Sequence, residues 1–183
     1  MRRHCVLLVL VCVLALPVYA APAFVADAPV LLTSAGQSAD FQIVKILFDR
    51  LRVPSTAKAL AKPEDLKDVK TLVVAIGGST KGLGAAGIDA DEEVARIQAL
   101  LARAKDARLK VLSMHIGGAA RRGELSDRFI ATVLPRSDYL VVVSEGNTDG
   151  LFTKLSGQAK VSMETADRLT DVEAVLRRIF RVK

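Results

Sequence analysis

The chain has 183 residues, 26 Lys and Arg against 20 Asp and Glu, and only two cysteines. That length supports one domain with a sizeable core. A net charge of +6 spread along the chain is too mild to mark a nucleic-acid binder.

Met1-Arg-Arg-His4 is a basic start, Cys5 to Leu16 an apolar run, and Val18-Tyr-Ala20 places small residues at a cleavage site. These are the three parts of a secretory signal peptide, and the run is shorter than the roughly 20 residues a spanning helix needs. Cys12 follows Val11, which does not suit a lipoprotein. Cleavage after Ala20 removes both cysteines, Arg2 and Arg3, leaving 24 basic against 20 acidic residues. The mature chain then has no disulfide, thiolate nucleophile or Cys metal site, which suits an oxidising, extracytoplasmic compartment. The expected location is periplasmic or otherwise outside the cytoplasm, with no membrane insertion after cleavage.

Residues 21–29 read as a short leader and 30–183 as a single domain. Val30–Thr33 is the first strand. Ser38 then caps a helix that stripes Phe41, Val44, Leu47, Phe48 and Leu51. Residues 56–61 suggest an edge strand, Pro63–Leu66 a helical turn, and Thr71–Ile76 a central strand buried on both faces. Residues 77–87 read as a long glycine loop. Asp89 caps the next helix, with Asp91, Glu92 and Glu93 in its first turn and Val94, Ile97, Leu100, Leu101 and Ala104 on its stripe. Lys110–Met114 and Tyr139–Val143 are strands, each followed by a helix, the first burying Leu125, Phe129, Ile130 and Val133, the second Leu151, Phe152 and Leu155. Residues 159–163 offer one more strand, and Thr170-Asp-Val-Glu173 a capping box for the last helix. Repeated strand–loop–helix units of this length predict an α/β fold. We expect three layers around a doubly wound, mainly parallel sheet of five or six strands, in a flavodoxin-like (Rossmann-like) order 2-1-3-4-5.

In such a fold the loops after the strands gather at one edge, where ligands bind. The first loop, Ser34 to Ser38, brings Ser34, Gln37 and Ser38, with Asp40 just beyond. The second brings Gly78, Ser79, Thr80 and Lys81. It does not match G-x-x-x-x-G-K-[ST]. Gly82, Gly84 and Gly87 fit a bare G-x-G-x-x-G, but no acid ends the next strand to hold a ribose. Its glycines permit close backbone approach to an anion beside Lys81, or else simply a flexible loop. The third carries His115, Gly117, Gly118 and the pair Arg121-Arg122, which suits bidentate capture of a carboxylate or phosphate. The fourth carries Glu145, Asn147 and Asp149.

Ser34 and Ser144 each lack the first glycine of a nucleophile elbow. Ser34, His115 and Asp149 can nonetheless be drawn as a catalytic triad. One histidine with scattered carboxylates does not make a zinc site. The first loop is similar to the phosphate loop of flavodoxins, but the loops hold no Trp or Tyr to sandwich a flavin. No metal and no cofactor is therefore expected. The acids at this edge fit either a ligand of both charges or internal salt bridges.

Four segments together, Thr33–Asp40, Gly77–Asp89, His115–Asp127 and Gly146–Gly150, resemble an uncharacterised family of exported bacterial proteins. That family is classed only as a domain of unknown function. The resemblance implies an extracytoplasmic protein and assigns no activity. From the loops the expected function is binding of a small anionic or zwitterionic ligand at the sheet edge. The alternative is a periplasmic hydrolase or transferase using His115 with Ser34 or an acid. The sequence names neither a membrane transporter nor a protein partner.

Overall fold

In a computed structural model, residues 24–182 are described. Residues 1–20, read as a signal peptide, lie outside them. Six parallel strands form one sheet in the order β2-β1-β3-β4-β5-β6. They are β1 (Val30–Ala35), β2 (Ser55–Ala57), β3 (Thr71–Ile76), β4 (Lys110–His115), β5 (Tyr139–Val143) and β6 (Ser162–Ala166). The expected order holds, with β6 added beyond β5. Ala159 ends a helix and Lys160 caps it, so the last strand runs from Ser162 to Ala166 rather than over the expected 159–163. β2 is an edge strand as expected, but it spans three residues instead of 56–61 and among the described residues pairs only with β1.

The helices are α1 (Asp40–Leu51), α2 (Thr80–Ala86), α3 (Ala90–Asp106), α4 (Glu124–Val133), α5 (Leu151–Ala159) and α6 (Val172–Ile179). Alternation along each strand sorts the core into two layers. Val30, Leu32, Val73, Leu112, Met114 and Val141 meet α1 and α6 on one face. Leu31, Leu72, Val74, Ile76, Val111 and Val142 meet α2 to α5 on the other. β3 is buried throughout, as a central parallel strand must be.

Three local expectations are corrected. Residues 80–86 are helical, because Ser79 Oγ accepts the Gly82 N–H at 3.0 Å and starts a turn that its glycines alone do not favour. The N-cap of α1 is Ala39, with Ser38 Oγ accepting the Asp40 N–H at 3.3 Å. The last helix uses no Thr170 box. Asp171 instead accepts the Arg168 N–H across a preceding 3-10 turn, whose N-cap is Arg168. The leader is part of the fold from Phe24 onward: Phe24 stacks on Tyr139 at 4.7 Å, and the Ala26 N–H bonds the Ile179 carbonyl.

Candidate functional site

The sequential crossovers reverse direction between β1 and β3, so the point where ligands are expected lies beyond Ala35 and Ile76. There the two loops knit directly. The Gly77 N–H bonds the Ala35 carbonyl at 2.9 Å, the Ser79 N–H bonds the Gly36 carbonyl at 2.8 Å, and Gln37 bridges to Gly78. Glycine is needed here because the protein packs against itself. A Cβ on Gly82 would drive into the Gln37 carbonyl, and one on Gly117 into Arg121 and Asp40. The approach we expected glycine to allow a ligand is largely taken by protein atoms.

A buried ion pair fixes the first loop. Glu93 is 0% exposed and Arg96 13% exposed. Arg96 Nε meets Glu93 Oε2 at 2.7 Å, and its other nitrogens reach the Ala61 and Ser34 carbonyls at 2.7 and 2.6 Å. Glu93 Oε1 accepts from the Gly36 N–H at 3.0 Å and Gln37 Nε2 at 2.9 Å. Sequence reading placed Glu93 only in a favourable first turn and missed this role. The signal was present, since 93 shares the 97, 100, 101, 104 stripe. Ser126, whose Oγ accepts the Gly78 N–H at 2.9 Å, was missed as well.

The triad is not assembled. Ser34 lies inside β1, fully buried, on the α1/α6 face with Leu32, whereas His115 lies on the opposite face beside Phe152. The sheet stands between them. Ser34 Oγ has no hydrogen-bond partner among the described residues. His115 Nδ1 is 3.1 Å from the Ile76 carbonyl and Nε2 is 3.3 Å from the Gly118 carbonyl. Burial holds its pKa below the usual 6.5, and a neutral ring donates to only one of the two carbonyls. Its role is to tie β3 to the 115–123 loop.

Arg122 is equally committed. It grips Asp149 through two bonds of 2.9 and 2.8 Å, Asp127 through Nε at 2.8 Å, and the Gly146 carbonyl at 2.5 Å. These partners raise its pKa and lower that of Asp149 to about 2. Asn147 is also used internally, its Oδ1 accepting the Phe152 N–H at 2.9 Å. Glu145 apart, the mixed charge of loops three and four is thus tied up in internal salt bridges. Arg121 reaches Asp40, Nε to Oδ1 at 3.3 Å, over a carboxylate only 4% exposed. Asp40 Oδ2 is buried without a partner, facing Gly77 and Gly117.

This central block divides the expected site. On one side a cleft of about 350 Å³ gathers Gln37, Ser38, Ser79 and Lys81 with Phe41, Gln42 and Ala59. On the other, a smaller cleft of about 170 Å³ lies among Gly117, Gly118, Glu145 and Arg168. Thr80 joins neither, and lines a third opening with Glu124 and Arg128. In the first cleft Lys81 has no ion-pair partner among the described residues. Ser38 and Ser79 each use an oxygen to accept a backbone N–H, which leaves both hydroxyl hydrogens to donate. Gln37 Nε2 spends its two hydrogens on Ala59 and Glu93, which leaves its carbonyl to accept. Among the described residues no group of three or more His, Cys, Asp or Glu converges as a metal site.

Comparison with known families adds one result. The model of a domain of unknown function, DUF6305, matches residues 27–180. The chain belongs to this family. The match spans every strand and helix of the DUF6305 fold described above and carries no activity with it. No curated protein matches the chain. Among solved structures it is similar to the psychrotrophic esterase EstA from a Pseudoalteromonas species, at 10% identity and a TM-score of 0.32, covering 75% of each chain. It is also similar to a variant of the esterase AlinE4, at 10% identity and a TM-score of 0.32, covering 87% of this chain and 82% of that one. At this level the likeness says nothing about the activity of the DUF6305 chain.

Proposed function

We propose that this DUF6305 protein binds a small anionic or zwitterionic molecule in the cleft between α1 and α2, at the C-terminal edge of β1 and β3. One observation supports this above others: Lys81, Ser38, Ser79 and Gln37 meet in one opening with unspent hydrogen-bonding capacity. An ammonium and two hydroxyl donors suit a carboxylate or phosphate. The Gln37 carbonyl suits an amine or hydroxyl on the same ligand. Phe41, Ala59 and Ala85 supply an apolar wall for its carbon skeleton. About 350 Å³ falls at the lower end of small-molecule sites. On the strength of the signal-like first 20 residues, the protein does this outside the cytoplasm.

The test is a thermal-shift screen against carboxylates, amino acids and phosphates, repeated with Lys81→Gln. A ligand at about 100 times its Kd stabilises by about 2.7 kcal/mol, which is about 5–11 °C for a domain of this size. A shift that Lys81→Gln abolishes supports the cleft. A flat response to the whole panel refutes the reading for those classes, and a shift that Lys81→Gln leaves intact moves the site elsewhere.

A further inference from the structure

We propose that the opposite edge of the sheet, where the strands begin, is a basic face that adsorbs to the anionic headgroup surface of a lipid bilayer without inserting.

Because all six strands are parallel, α1, α3, α5 and α6 end at this edge, and just beyond each end stands an exposed cation. These are Arg52, Arg108, Lys160 and Arg181. All four have left-handed backbone, with φ of 54, 55, 57 and 52°. Glycine or asparagine is the usual residue in that conformation, which costs other side chains free energy. Favourable interaction with helix dipoles accounts for Arg50, Lys105 and Arg177 in last turns, but it fades beyond them. It does not call for a strained cation at four separate helix ends. None of the four forms an ion pair among the described residues.

Their neighbours extend the face. A cleft of about 580 Å³ is rimmed by Arg50, Arg52 and Arg177, and another of about 540 Å³ by Lys105, Arg108, Lys110 and Arg136. The acids at this edge are few and mostly engaged. Glu173 bonds Arg50 and Arg177, Asp27 bonds Lys110, Asp49 bonds Lys45, and Asp138 accepts the Val111 N–H. Asp68, also left-handed with φ of 61°, stands between Lys67 and Lys70 in sequence, and Asp106 follows Lys105.

The distribution of charge favours a membrane over a soluble polyanion. The cations stand at the ends of four helices and ring a broad edge instead of lining one groove, as contact with an extended anionic surface requires. Adsorbed this way, the molecule turns its opposite edge, with the cleft between α1 and α2, toward solvent.

The test is co-sedimentation of residues 21–183, the chain left by the expected cleavage after Ala20, with phosphatidylglycerol-containing and pure phosphatidylcholine vesicles. The key variant replaces Arg52, Arg108, Lys160 and Arg181 together by Gly. Glycine relieves left-handed strain, so its melting temperature should not fall. Partitioning onto anionic vesicles should drop roughly a hundredfold or more, given the known contribution of each surface cation. A control, Arg128→Gly with Lys154→Gly on outward helix positions, should lose much less. For the wild type, raising salt from about 0.1 to about 1 M shortens the screening length from about 10 to about 3 Å and should release the protein. Equal binding by the four-glycine variant, or equal binding to neutral vesicles, overturns the proposal. Retention on a sulfated polysaccharide without vesicle binding overturns it in favour of an acidic polymer.

Discussion

The middle of the edge where the strands end and its α1/α2 flank are built from the same materials, yet they differ in what is left over. In the middle, Arg122 and Glu93 spend their charged groups on the protein, Asn147 is held at both ends of its amide, and His115 sets both ring nitrogens against carbonyls. At the flank, Ser38, Ser79 and Lys81 keep donors in reserve. A charged loop residue at a sheet edge is therefore no guide to binding until its own partners are known. What marks a site is polar capacity that the fold leaves unused.

The most damaging way to break the contrast is at the buried ion pair. Glu93→Ala leaves Arg96 buried without its counter-charge and should cost about 3–5 kcal/mol in chemical denaturation. Glu93→Ala with Arg96→Met should recover part of that loss, because the orphaned charge is gone. Two glycines in α2 should then respond with opposite signs. Gly82→Ala meets the Gln37 carbonyl and should destabilise by about 1–3 kcal/mol. Gly84→Ala meets nothing within 4 Å and should stabilise by about 0.5–1 kcal/mol.

The middle should also carry a pH signature. His115 has its pKa lowered in the fold from the usual 6.5, so below about that pH the unfolded chain binds the extra proton and stability falls. Melting temperatures should decline between roughly pH 7 and 5, and His115→Gln should flatten that decline. The Asp149–Arg122 contribution is held above pH 3.8 and lost as pH falls toward about 2, so Asp149→Asn should remove a separate, more acidic step. The smallest effect on stability belongs to the flank. Lys81→Gln should alter the melting temperature by less than the equivalent of about 0.5 kcal/mol while abolishing any ligand-induced shift. A large loss of stability there would erase the distinction between the two regions.

Repeating strand–loop–helix periodicity was enough to read the α/β class, the parallel sheet, the 2-1-3-4-5 order and most of the core stripes. Those features rest on local hydrophobic spacing, which a chain displays residue by residue. The same reading pointed to the edge beyond the strand ends and named Gln37, Ser38, Ser79 and Lys81 among its candidates. It did not separate them from Arg122, His115 and Asn147, because satisfaction of a polar group depends on partners far away in sequence. Asp149 lies 27 residues from Arg122, and Ile76 lies 39 from His115. Only the tertiary structure decided that the sheet parts Ser34 from His115, that glycine 82 accommodates a neighbouring carbonyl, and that Glu93 is a buried anchor. Each is a matter of which atoms meet across the fold, where sequence spacing carries no distance.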